Sequence, residues 1–162
     1  MSDDLPLPRW RYTPGTGNQP DREILERVKA LVPLRFESHV PLDHPALLYG
    51  LALNDQGFFW ECHEILEAVW KAAPQGGRDR ILLRACIQIA NANLKQVLKQ
   101  PRAVARLLTE AIGELDELNR REKNCDGIAA DVSVEALSAV LRDRLAEPGS
   151  TEPVMLNLHS KP

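Results

Sequence analysis

At 162 residues the chain has the length of one domain, able to bury roughly two thirds of the surface its unfolded form exposes and too short for a second independent core. Its 23 acidic and 20 basic residues are spread along the sequence, and the net charge of -3 excludes a whole-domain pull toward nucleic acid or an anionic membrane. No apolar run reaches the roughly 18 residues of a membrane span, and Met1 to Leu7 is acidic and proline-containing where a signal peptide would be basic and then apolar. Cys62, Cys86 and Cys125 are an odd set with no CxxC spacing, so reduced thiols and a cytoplasmic location are expected, with no disulfide.

Residues 1–20 hold Pro6, Pro8, Pro14 and Pro20 with Gly15 and Gly17, the composition of an extended N-terminal arm, and Trp10 and Tyr12 suggest that it lies on the core. Asp21 is placed to cap a short helix in which Ile24, Leu25, Val28 and Leu31 recur at helical spacing until Pro33 ends it. After a loop over 33–42, Asp43 is the expected cap of a helix through Leu47, Leu48, Leu51 and Leu53, broken by Asn54, Asp55, Gln56 and Gly57.

A helix over about 58–72 follows, then the Pro74 to Gly77 turn. A long helix over about 78–99 is apolar on most sides, which marks it as central. Pro101 opens a fourth core helix with the stripe Val104, Leu107, Leu108, Ala111, Ile112, Leu115 and Leu118, leaving Glu110, Glu114 and Glu117 outside. Gly127 opens a loop, Ser133 caps a last helix through Leu145, and Pro148 with Gly149 ends it before a tail, Val154 to Leu158, that packs extended on the bundle. The reading is an all-α fold: a single irregular bundle of about five to six helices over 21–147, with the arm at 1–20 and a C-terminal tail at 148–162.

The helix over 58–72 is the one whose residues are placed to carry chemistry. At about 100° per residue, Phe58, Phe59, Cys62, Ile65, Leu66 and Val69 form the core-facing sector. Beside it Trp60, His63, Glu67 and Trp70 set a His and a carboxylate one turn apart between two indoles, while Glu61, Glu64 and Lys71 take the remaining side. Two tryptophans on a solvent face are costly, so this sector is expected to be half buried under another helix or the arm, with His63 and Glu67 in contact. Arg84, Gln88, Asn91 and Lys95 make the polar stripe of the central helix and are expected to face it, with Arg84 pairing Glu67 or Glu64.

Three functions fit. The first is a binding module with an interhelical polar pocket for a small ligand, lined by Trp60, Glu61, His63, Glu67, Trp70, Arg84, Gln88, Asn91 and Lys95. The second reads His63, Glu64 and Glu67 as HExxE: a divalent metal on His63 and Glu67, a third ligand from His39 or His44, and Glu64 as the base of a metal-dependent hydrolase. The bland alternative for the same residues is a polar network that only sets helix register. A third is an interaction or nucleic-acid module using Arg78, Arg80, Arg84, Lys95, Lys99, Arg102 and Arg106, which the balanced charge disfavours. Homo-oligomerisation stays open. His159 in the tail reads as solvated, and Cys62 as a core residue.

Phe59, Trp60, Glu61, His63, Glu64, Glu67 and Trp70 resemble the signature of a helical family catalogued as a domain of unknown function, number three-hundred-and-nine. The resemblance runs over about residues 45–118, through Arg80, Leu83, Ile87, Gln88 and Ala90 and the Gln100 to Ala103 turn, and the Arg9 to Gly15 arm resembles an extension seen in some members. It implies an all-helical fold with the signature polar residues gathered inside and no established activity, while some members carry a loose label of metal-dependent hydrolase. The family often has His where Lys95 stands and a small residue where Asn91 stands; were that His a ligand, Lys95 would argue against metal here.

Overall fold

The computed structural model describes residues 5–121 and 127–158, with the side chains of 130 and 131 also left aside. Its elements are α1 (Arg22–Lys29), α2 (Pro45–Asp55), α3 (Phe59–Ala72), α4 (Arg78–Val97), α5 (Pro101–Arg120), the single turn α6 (Ile128–Asp131) and α7 (Val134–Ala146). No strand occurs among the described residues, and no helix is long and apolar enough to cross a membrane. The all-α bundle is therefore the fold. Cys125 and His159 lie outside the described residues.

α4 packs between α3 and α5, α2 lies on α3, α7 on α5 and α1 on α3. The central position expected of α4 follows from its composition: Leu82, Leu83, Ala85, Cys86, Ile89 and Ala90 are buried on faces turned to both neighbours. The stripe of α5 is buried from Leu107 to Leu118 as its 3.6-residue period requires. Gly50 lets α2 approach α3 closely, since a Cβ there would stand 2.8 Å from Leu66 Cδ2 and 3.1 Å from Ile65 Cγ2.

Two of the expected caps change. Asp21 occupies the N-cap position of α1 but makes no side-chain cap bond, because its carboxylate accepts the Arg9 backbone N–H at 2.9 Å and the Arg9 guanidinium at 2.9 and 3.1 Å. α2 is capped by His44, whose Nδ1 accepts from Ala46 N at 3.2 Å, rather than by Asp43. Pro45 occupies the first turn of α2, where its missing N–H costs nothing. The helix then closes with Gly57 at φ +88°, Gly57 N bonding Asn54 O at 3.0 Å and Phe58 N bonding Leu53 O at 2.8 Å.

Beyond α5 the sequence reading has a loop where the structure has α6. Asp79, at the start of α4, accepts Ala129 N at 2.9 Å and Val40 N at 2.8 Å, tying α6 and the α1–α2 connection to one buried carboxylate. Gly127, at φ +93°, approaches Asp79 so closely that no Cβ fits. Ser133 caps α7 as expected, accepting from Ala136 N at 3.2 Å. In the tail, Val154 and Leu156 are buried.

Candidate functional site

α3 carries its apolar residues inward as the wheel requires: Cys62, Ile65, Leu66 and Val69 are wholly buried. The flanking sector is half buried. Trp60 meets the Tyr12 ring of the arm edge-on at 4.7 Å, and Trp70 lies under the Arg80 guanidinium at 4.3 Å. Between the indoles, His63 Nε2 stands 3.0 Å from Glu67 Oε2, the i, i+4 contact the spacing predicts, and His63 Nδ1 stands 3.7 Å from Glu64 Oε2.

The partners of this trio come from α1 and from α3 itself. Lys29 of α1 reaches Glu64 Oε1 at 3.4 Å, and Lys71 reaches Glu67 Oε1 at 3.1 Å. Burial works to raise the Glu67 carboxyl, but the bonded Lys71 ammonium, with His63 and Lys29, outweighs it and holds the group below its ordinary value. One ligand atom from each of His63, Glu64 and Glu67 can be chosen so that all three lie within 4.8 Å of one another. His39 and His44 do not join them. His39 pairs with Ser38 at 3.0 Å in the loop, and His44 caps α2 with its ring edge-on to Phe36 at 5.2 Å.

The stripe of α4 faces the other way. Arg84 Nε pairs with Glu114 Oε1 at 3.1 Å and Gln88 Nε2 bonds Glu110 Oε2 at 2.8 Å, both on α5, while Asn91 and Lys95 continue along the same edge. Among the described residues no hydrogen bond or ion pair joins any of the four to His63, Glu64 or Glu67. α4 packs on α3 and α5 alike, and Arg84 and Gln88 turn to the acidic row that the stripe of α5 leaves outside. Pairing of Arg84 with Glu67 or Glu64 is thus corrected.

Four of the seven basic residues considered for nucleic acid, Arg78, Arg80, Arg84 and Arg106, are engaged within the fold. Arg78 is buried against Ala129 O and Leu118 O, Arg80 covers Trp70, and Arg84 and Arg106 pair with Glu114 and Glu110.

Glu61, assigned by the wheel to the outer side, is completely buried. The arm covers it: Tyr12 N donates to Oε2 at 2.8 Å, while Oε1 has no partner. Burial pushes this carboxyl up, against the opposing influence of the Tyr12 N–H and of Arg11. Sequence reasoning missed Lys29, an ordinary basic residue in a last helical turn, and the buried amides Asn54 and Asn93. A cavity of about 230 Å³ opens between the arm and α1, against Arg9, Asp21, Ile24 and Arg27, and a smaller one of about 50 Å³ lies between α5 and the end of α7. None of the α3 residues lines either. The thiols of Cys62 and Cys86 are free and buried, the first pushed well up and the second to about 12 by desolvation, which makes them core residues rather than nucleophiles.

Fold and site together define an all-helical bundle that gathers one His and two Glu on a single half-open helix face. Residues 47–107 match the family described as Domain of unknown function (DUF309), a segment that holds most of α2, all of α3 and α4, and the start of α5. The match stops short of the arm and of the later part of α5. Neither a curated protein nor a solved structure matches the chain.

Proposed function

We propose that the chain is a binding module whose ligand is a divalent cation, held by His63, Glu64 and Glu67 on α3. The observation that carries this is the convergence of one imidazole nitrogen and two carboxylate oxygens within 4.8 Å, on side chains that are partly buried and partly open. A mixed nitrogen and oxygen set suits first-row divalent ions, and three protein donors leave further positions for water. The aromatic walls, Trp60 with Tyr12 and Trp70 with Arg80, limit access from both ends.

Binding is favoured over hydrolysis because Glu64, the candidate base, is one of the three donors. Among the described residues no other His, Asp, Glu or Cys joins the group to take over proton transfer. Among the described residues Lys95 on α4 makes no bond to the trio.

Titration of tag-free protein with Zn²⁺ and with Mn²⁺ by calorimetry tests the reading. A saturable step is expected for the wild type, weakened at least about tenfold in His63→Ala, since each tenfold corresponds to about 1.4 kcal/mol and a direct ligand contributes more. Binding that is unchanged by His63→Ala, or no saturable binding at all, overturns it.

A further inference from the structure

The trio already has cations in place. Glu64 and Glu67 each stand against an ammonium group, Lys29 and Lys71 respectively, so both carboxylates are paired without any bound ion. The two lysines are not equivalent. Lys71 has a side chain 66% exposed, lies on the same helix as Glu67, and can swing into solvent with little loss. Lys29 has a side chain only 27% exposed, comes from α1, and is held from two sides, 3.6 Å from Glu26 Oε1 and 3.4 Å from Glu64 Oε1. Among the described residues it is the ion-paired link from α1 to the trio, and its charge repels a second cation on Glu64.

We infer that Lys29 is a built-in competitor for the cation, so that loading of the α3 site requires α1 to release Glu64. This rests on the cation-binding reading of the trio and adds its regulation. A metal ion on Glu64 takes the carboxylate that Lys29 holds, and the ammonium must leave the carboxylate's reach. α1 is a short helix of eight residues whose first turn is clasped to the arm through Asp21 and Arg9, and its far end runs into Leu31 and Leu34, which are 44% and 99% exposed. Lys29 lies at that far end just beyond the wholly buried Val28, so the chain can loosen from Lys29 onward while Val28 and the first turn stay fastened.

The test is Zn²⁺ titration of wild type, Lys29→Met, Lys29→Gln and Lys29→Arg, with folding checked by circular dichroism. Removing the charge should tighten zinc binding roughly tenfold in Met and Gln alike, from the lost pairing and the lost repulsion, whereas Arg, which keeps the charge, should bind no tighter than wild type. Zinc should also speed amide exchange in the last turn of α1 in wild type and leave it unchanged in Lys29→Met. Equal zinc affinity in all four proteins overturns the competition while leaving the site intact. Absence of zinc binding from all four, with His63→Ala indistinguishable, overturns the site and the competition together.

Discussion

Glu61 shows how a single residue can be read correctly in kind and wrongly in place. The wheel separates it from the apolar sector, but a wheel orders residues only relative to their own helix, and the covering of that side by Tyr12 belongs to a segment forty-nine positions away. His63 and Glu67 were legible because their contact is local to one helix. The buried Glu61 carboxyl has a clear pH signature. Its folded pKa is raised by desolvation, so the folded state holds its proton more tightly than the unfolded state does. Its contribution is fully present below the ordinary carboxylate pKa of about 4.3 and is lost as pH rises through the raised value. Glu61→Gln keeps an acceptor for the Tyr12 N–H and carries no charge to desolvate. Urea unfolding at a series of pH values should therefore show the variant gaining on wild type as pH climbs from about 4 toward neutrality. A wild-type minus variant difference that stays flat over that range would mean that Glu61 is ionised in the fold at no cost.

At the scale of elements, boundaries follow from turn chemistry and apolar period, which is why α3, α4, α5 and α7 begin where Pro, Gly and Ser place them. The same period cannot say which neighbour a polar edge meets. α4 has two packed neighbours: a half-buried Glu67 in need of a partner points to α3, whereas the outward acidic row of α5 points to the edge that Arg84 uses. α6 escaped notice because one turn leaves no periodic signal; it is fixed by Asp79 from elsewhere in the chain. The corrected pairing makes a sharp expectation. With the Arg84 side chain 56% exposed and that of Glu114 27% exposed, the pair should couple by about 0.2 to 1 kcal/mol in a double-mutant cycle of Arg84→Met and Glu114→Gln. The cycle of Arg84→Met with Glu67→Gln should be additive. Coupling above 1 kcal/mol in the second cycle, by denaturant unfolding, would restore the α3-facing stripe.

Over the whole molecule, the described parts of the N-terminal arm and the C-terminal tail are fastened by buried polar groups rather than by apolar contact alone. The arm is held by one side chain from each of three elements: Asp21 before α1 on Arg9, Tyr49 of α2 on Pro6 O at 2.8 Å, and Glu61 of α3 on Tyr12. The tail is held by Asn93 of α4, which donates to Val154 O and to Asn54 Oδ1 at 2.9 and 2.8 Å and accepts from Val154 N at 2.9 Å, while Asp55 accepts from Leu156 N at 2.6 Å. A buried amide satisfied on both of its faces acts as a strand partner for one residue of an extended segment, so α2, α4 and the tail meet at a single point. Asn93→Leu keeps the approximate volume but leaves Val154 N without its partner and strips one donor each from Val154 O and Asn54 Oδ1. Each buried polar group left unsatisfied costs roughly 1 to 3 kcal/mol, and Asn54 Nδ2 still bonds Val154 O, so the net loss should be about 2 to 4 kcal/mol. Because the loss is concentrated at the tail, limited proteolysis after Ser150 should accelerate under conditions where the bundle remains folded by circular dichroism. Unchanged urea midpoint and unchanged cleavage in Asn93→Leu would show that Val154 and Leu156 hold the tail by apolar burial alone, with the amides as bystanders.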